Sequence, residues 1–493
     1  MPGDASGVLY EEVPYPGNPF SQTHPDRLAT LAKLYGLDPA PPADCRLLEI
    51  GCGDGGNLLP MACTLPGSQF VGVDISRRAI AKARGRAHAA GIANVTFEER
   101  SLADWEPPAG SFDYVVAHGV YSWVPEPVCD ALMALCGHAL DEHGVAYVSY
   151  NTLPGGHLRA ILRNLLKAHV DEDAPGAEQL AAARELLDVL RQAWAYDPEL
   201  HTLVSLATKM REDSDALLFH DTLSPVNRRL HFDEFVAHAG RHGLQYLAEA
   251  NFWEMQVGWL PAGLRDGVLA TSDRLLRERT LDELRMRTFR QTLLCRSSHE
   301  LAATPRLDCL ESLAVSAHAQ GDAPDEDGRV RFTGANGSNL TTDHAPVIAA
   351  LQRVIAAWPA SLPIAELMPP DADVEQRLVV TEAFLRCYSA ALAMLHAAPA
   401  AFGTAAAPRP HVTTMARLQA AEGPVVANLR HEPTTLDDNT RLLVTLLDGT
   451  RDRGALVADL AASLPGTMAQ SDLAVWLEAS LAELARSALL LPS

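Results

Sequence analysis

Leu47–Asn57 reads LLEIGCGDGGN. An apolar run containing the acid Glu49 ends at Ile50, and a turn rich in glycine follows at once. Glycine tolerates positive φ, so such a turn lets the backbone approach a ligand closely. Gly51, Gly53 and Gly56 satisfy GxGxxG, and Asp74 closes the next apolar run, QFVGVD (69–74). Taken alone, these also fit a dinucleotide site. Glu49 separates the two readings, because its carboxylate would repel a bound pyrophosphate. S-adenosylmethionine carries no phosphate, and its ammonium and cationic sulfur both favour a nearby carboxylate. On that reading Gly51, Gly53 and Gly55 admit the methionine and ribose part, and Asp74 accepts the ribose hydroxyls. Ile75 packs on the adenine face, while Ser101 and the Leu102 N–H meet the adenine edge. Asn57, where the next helix opens, is counted with the cofactor-binding residues.

Outward from the turn, the periodicity predicts strands at 45–50, 69–74, 94–100, 112–118 and 144–151, alternating with helices over 57–64, 76–91 and 127–140. Near-continuous apolar strands between helices imply a doubly wound, parallel, Rossmann-like α/β sheet. The pattern then turns helical, and alternation resumes at 231–252 and ends in FRQTLLCR (289–296). The expected division is an S-adenosylmethionine-binding core with an N-terminal cover (1–155), a helical insertion (156–228) that dimerises or covers substrate, completion of the sheet (229–300), a middle domain (301–410) and a C-terminal helical domain (411–493). Residues 320–340 read as loop with ANGSN as a hairpin turn, and 343 onward as helical, with winged-helix-like modules at the end.

The 493 residues exceed one ordinary core, and about three or four domains are expected. Apolar residues make up 47% and charged residues 21%, as in an ordinary globular protein. No uninterrupted apolar stretch is long enough to span a membrane, and no signal peptide opens the chain. Eight cysteines without CxxC spacing point to neither zinc nor disulfides, so no metal is expected and a reducing cytoplasm fits. The net charge of −22 argues against a nucleic-acid surface and leaves room for steering of basic protein targets.

Ligands of open α/β sheets lie beyond the carboxyl ends of the strands. The fourth strand runs into HGVYSWVP (118–125), which places His118 beside the sulfonium. The base-recognising (N/D)PP(Y/F) pattern is absent there. Tyr121 and Trp123 could enclose an amine by cation–π and apolar contact, or simply pack in the core. The aromatic N-terminal segment, with Tyr10, Tyr15, Phe20, Thr23 and His24, reads as a cover over cofactor and slot, or as an arm packed elsewhere. His118, Tyr121, Trp123 and Tyr15 are therefore the candidate catalytic residues. Tyr10, Phe20, His24, Asn151 and His220 are the candidate substrate contacts. His157, His220 and Asn227 border the insertion, and structural roles suit each of them as well.

LLEIGCGDGGN, VGVD and FDYVVAH resemble class I S-adenosylmethionine-dependent methyltransferases. More specific are VPYPGNPFSQTHPDRLATLAKLYGL, GNLLPMA, AHGVYSWVP, YNTLPGGHLR and FRQTLLCR. These resemble the bacterial family that joins a methyltransferase domain to a methyltransferase regulatory domain and a protein-lysine-methyltransferase-type C-terminal domain. The rickettsial lysine methyltransferases of outer-membrane proteins are its best-known members. The resemblance is strongest over 10–160 and 215–297 and weak over 330–493. It implies methyl transfer to protein lysine, S-adenosylhomocysteine as product, and a homodimer. One departure is Ser101, which stands in RSLADW where the family carries an acid; Asp104 matches the second acid.

Three functions follow: a protein-lysine N-methyltransferase, a small-molecule N- or O-methyltransferase, and a cofactor-binding regulatory protein without turnover. A wide acidic cleft would favour protein, and a closed apolar pocket under the insertion would favour a small molecule.

Overall fold

The apolar runs flanking the glycine turn pair side by side as parallel strands. β1 (Arg46–Ile50), β2 (Gln69–Asp74), β3 (Val95–Glu99), β4 (Phe112–Ala117) and β5 (Leu140–Thr152) lie in the order β3-β2-β1-β4-β5. The computed structural model describes residues 17–102, 105–369, 371–400, 402–463 and 470–492. Helices α1 (Pro25–Leu34), α2 (Leu58–Thr64), α3 (Arg77–Ala90) and α4 (Glu126–Ala139) accompany the strands. Local chemistry sets their ends. Ser76 caps α3 by accepting from the Ala79 N–H at 3.2 Å, and Gly91 stops it in the left-handed region at φ 68°.

After β5 the chain leaves the sheet as α5 (Gly156–His169), α6 (Gly176–Trp194) and α7 (His201–Glu212). Leu162, Leu166, Leu187, Met210 and Phe219 give this insertion its own core. The chain returns through the two-residue β6 (Arg229–Leu230), parallel to the end of β5, and helix α8 (Phe232–Arg241). β7 (Leu244–Glu249) and β8 (Phe289–Arg296) then complete the sheet. β8 lies between β5 and β7 and runs antiparallel to both, so the finished sheet is mixed and not wholly parallel. The fully buried Arg290 on β8 binds Glu249, Glu278 and Asp282, tying β7 and the helix Arg274–Arg285 to the edge of the sheet.

Two expectations need correction beyond β8. Residues 320–340 are not simply loop: Ala319–Gly321, Val330–Gly334 and Asn339–Thr342 form a three-stranded antiparallel sheet, with ANGSN turning between the last two. The chain from 343 onward is not wholly helical either. Leu362–Pro363 and Met394–His396 pair with Ala314–Ser316, and Val425–Ala427 pairs with Pro433–Thr435. Strands of two or three residues are too short to impose a period on the sequence. One apolar cluster runs from Leu47, Phe70 and Tyr114 of the sheet through Leu313, Phe384 and Tyr388 to Met415.

Candidate functional site

At the carboxyl ends of β1, β2, β4 and β5 lies a cavity of about 730 Å³. Its floor is the glycine turn. Gly51 has φ 71°, and a Cβ there would fall 2.6 Å from Val120 Cγ2. Gly53, at φ 52°, donates its N–H to Asp74 Oδ2 at 2.9 Å, while the Ser76 N–H donates to Oδ1 at 2.8 Å. The Asp74 carboxylate thus fixes both turns that frame the cavity, and burial raises its pKa. Asp74, Ile75, Gly51 and Gly53 all line the cavity. Gly55 does not; at φ 77° it packs beneath Phe97 and Leu59 and shapes the turn.

Glu49 also lines the cavity and is 4% exposed. Its Oε1 accepts from Asn57 Nδ2 at 2.7 Å, while its buried Oε2 has no partner among the described residues. Burial pushes the carboxyl up to about 8. An orphaned carboxyl oxygen on a residue that lines a glycine-floored cavity suits an ammonium group, and two backbone-anchored oxygens on Asp74 suit a ribose. These residues fit S-adenosylmethionine and do not fit a pyrophosphate.

Asn57 is oriented from three directions. Its Oδ1 accepts from the Phe20 N–H at 2.9 Å, from Thr23 at 3.3 Å and from His431 Nε2 at 2.8 Å. His431 lies 374 positions away, in the turn between Val425–Ala427 and Pro433–Thr435. Nearby, Asp54 pairs with Lys82 and Arg86, each at 2.8 Å, and Arg86 also binds Glu422. The C-terminal module therefore braces the cofactor cradle.

The other walls sort the remaining candidates. His118 lines the cavity, with Phe20 4.1 Å and Phe289 6.3 Å from its ring by centroid. Burial pushes its pKa down to about 4, and Nδ1 lies 2.9 Å from Tyr147 Oη. Trp123, Asn151, His220, Asn227 and Leu102 line the cavity as well. His157 is exposed and stands outside it. Ser101 is also exposed and off the wall, although its neighbours Arg100 and Leu102 reach it; the adenine-edge role expected of Ser101 does not match this placement. Phe20 lines the cavity, but His24 does not. His24 caps α1, its Nδ1 accepting from the Asp26 N–H at 3.2 Å, and its ring lies 5.4 Å from that of His431. Tyr10, Tyr15 and Asp104 lie outside the described residues.

Tyr121 requires the main correction. It is 1% exposed and does not line the cavity. Gly119, at φ 68°, turns the chain after β4 so that His118, Val120 and Trp123 face the cavity and Tyr121 faces α4 and α8. Its hydroxyl donates to His238 Nδ1 at 2.6 Å, and its ring meets Phe235 edge-on at 5.3 Å. His238 and His242 both bond Asp130 Oδ1, at 3.1 and 2.8 Å, making the one cluster among the described residues whose ligand atoms could converge on a metal ion.

Residues 47–144 match the family described as "Methyltransferase domain", 214–296 "Predicted methyltransferase regulatory domain", and 408–473 "PKMT, C-terminal winged helix domain". Protein RP789 of Rickettsia prowazekii is 36% identical over 288 residues, 58% of this chain and 52% of its own length. Protein RP028 of the same organism is 34% identical over 242 residues, 49% of this chain and 97% of its own. The chain thus spans about half of the first relative and nearly all of the second. The structure of PKMT2 from Rickettsia typhi in complex with AdoHcy superposes with a TM-score of 0.86 at 25% identity, covering 97% of this chain and 100% of that one.

Proposed function

Because this chain belongs to the family of class I S-adenosylmethionine-dependent methyltransferases with a regulatory domain and a PKMT-type winged-helix domain, we propose that it methylates the side-chain amine of lysine in a protein. S-adenosylmethionine is its cofactor, and when bound it supplies an electrophilic methyl group on a cationic sulfur. The observation that carries the reading is the orphaned Glu49 Oε2 on a cavity that Phe20, His118, Phe289 and Trp123 also line. Lysine as the acceptor is supported by those rings and by the PKMT-type C-terminal module.

Glu49 holds the ammonium of the cofactor and Asp74 its ribose. The aromatic wall orients the acceptor and excludes water, and such positioning can supply much of the rate. Free lysine, with a pKa of about 10.4, is almost wholly protonated near neutrality and must give its proton to water before its lone pair can attack. Desolvation between apolar rings lowers that pKa. His118 is neutral in this pH range and accepts a hydrogen bond from the amine through one ring nitrogen, with Tyr147 on the other.

The acceptor on this reading is a protein surface, and the charge of −22 steers basic targets toward the enzyme. A homodimer and a cytoplasmic setting belong to the same proposal. No helix among the described residues is long and apolar enough to cross a membrane. A second reading, an acidic small molecule as acceptor, is favoured by the arginines Arg159, Arg163 and Arg229 on the cavity wall. Incubation of a bacterial lysate with the enzyme and isotope-labelled S-adenosylmethionine, followed by mass spectrometry, tests the choice. Label on lysine nitrogen supports the proposal; label confined to small molecules defeats it.

A further inference from the structure

The insertion brings positive charge to the cavity. Arg159 and Arg163 are one turn apart on α5, and Arg229 forms β6, 66 positions further on than Arg163; all three line the wall beside β5, two strands from the glycine turn. Their counter-charges are few. Arg159 sits 3.7 Å from Asp213 and is near Asp221, whose carboxyl is pushed up to about 6 mainly by burial. Arg163 donates through Nη2 to the Ser224 carbonyl, and its buried Nε has no acceptor among the described residues. Arg229 packs its stem over Gly156, where a Cβ would fall 2.8 Å from Arg229 Cδ.

Neither Arg163 nor Arg229 has an acidic partner among the described residues, in a chain with 62 Asp and Glu. Burial lowers the pKa of both, and for Arg229 the charges of Arg163 and Arg159 lower it further. Two partly desolvated guanidiniums without counter-charge are costly unless a ligand supplies one. Guanidinium forks match carboxylates in bidentate geometry.

We infer that Arg163 and Arg229, with Arg159 beside them, form a carboxylate subsite for the methyl acceptor, so that the methylated group belongs to a molecule bearing a nearby acid. The inference rests on the methyl-transfer reading and specifies its substrate class. In a protein acceptor the acid is an Asp or Glu side chain close to the lysine; in a small acceptor it is the acid of the molecule itself. The subsite also reconciles a cationic wall with a lysine target. The acid anchors the acceptor, and the same positive field disfavours the protonated amine, promoting the neutral form that attacks.

The test uses the full-length enzyme, S-adenosylmethionine and two synthetic peptides that differ only in Glu or Gln flanking a single lysine. The Glu peptide is expected to show a kcat/KM about tenfold higher, chiefly through KM. Arg163→Gln with Arg229→Gln should erase that preference while S-adenosylhomocysteine affinity and melting temperature hold. Tricarballylate, a simple tricarboxylate, should compete with the Glu peptide. Equal rates for the two peptides overturn the subsite and leave lysine transfer standing. Methylation of tricarballylate with both peptides inert overturns lysine transfer and leaves the subsite standing. If nothing is methylated, calorimetry on the S-adenosylhomocysteine-loaded enzyme decides: tricarballylate binding that the double variant loses supports the subsite, and absence of binding overturns it.

Discussion

His431 Nε2–H donates to Asn57 Oδ1 at 2.8 Å, and Asn57 Nδ2 in turn donates to Glu49 Oε1 at 2.7 Å. The carboxylate assigned to the cofactor's ammonium is thus oriented by a residue of the C-terminal module. His431 is itself buried, at 3% exposure, and burial holds it neutral.

His431→Asn should weaken S-adenosylmethionine binding by about 1 kcal/mol, the net worth of one hydrogen bond. Asparagine tolerates the positive φ of 59° at this position, so the backbone is preserved. Calorimetry checks the affinity. Unchanged binding would show that Asn57 holds Glu49 without help from the C-terminal module.

Glu49 makes cofactor binding pH-dependent. Its carboxyl titrates near 8 in the folded protein against 4.5 ordinarily. Between those values the cofactor-free folded state holds an extra proton. Its stabilising share is therefore complete below the lower value and is lost as pH rises toward the upper one. An ammonium ligand needs the anion, so cofactor affinity should rise over the same window with proton release. Calorimetry in buffers of different ionisation enthalpy measures that release near pH 7, and Glu49→Gln should abolish it.

Asp74→Ala removes the acceptors for the ribose and for the N–H groups of Gly53 and Ser76. Cofactor affinity should fall by about 1–3 kcal/mol, and the melting temperature should fall with it. Asp74→Asn keeps one acceptor oxygen and should lie between. An affinity loss without thermal loss would mean that the two turns stand without the carboxylate.

Tyr121 and Trp123 should respond oppositely. Tyr121→Phe breaks the bond to His238 and should cost about 1 kcal/mol of stability while the folded enzyme turns over normally. Trp123→Ala strips the cavity wall and should cut turnover about tenfold, equivalent to about 1.4 kcal/mol of transition-state stabilisation, with little thermal effect. Thermal melts beside steady-state rates check both, and a slow but stable Tyr121→Phe enzyme would return Tyr121 to the site.

The glycine turn, Glu49 and Asp74 were legible because their signal is local: an acid and glycines at fixed spacing between apolar strands. The sheet was legible for the same reason, strand by strand, except for the direction of β8, which depends on how the chain returns from β7. The placement of Tyr121 was not legible because nothing in HGVYSWVP reveals that Gly119 adopts φ 68°, or that His118, Val120 and Trp123 reach the cavity while Tyr121 packs beside Phe235 and His238. Arg159, Arg163, Arg229 and Phe289 were missed because their cavity role arises from tertiary convergence, not from spacing. His431 was invisible for a stronger reason: it meets Asn57 across 374 positions and carries no motif.

The apolar cluster that runs without a break from Leu47 through Phe384 to Met415 has a consequence for how the protein melts. Separate modules usually lose structure in separate steps, each with its own midpoint. Here the sheet, the middle segment and the first helix of the C-terminal module share one interior, and Asn57–His431 adds a polar stitch to the same seam. Scanning calorimetry should therefore give these parts a single joint endotherm. Occupancy of the cofactor cradle should raise it as a whole, so that a ligand held at one edge of the sheet sets the heat tolerance of a helix more than 350 residues downstream of its glycine turn.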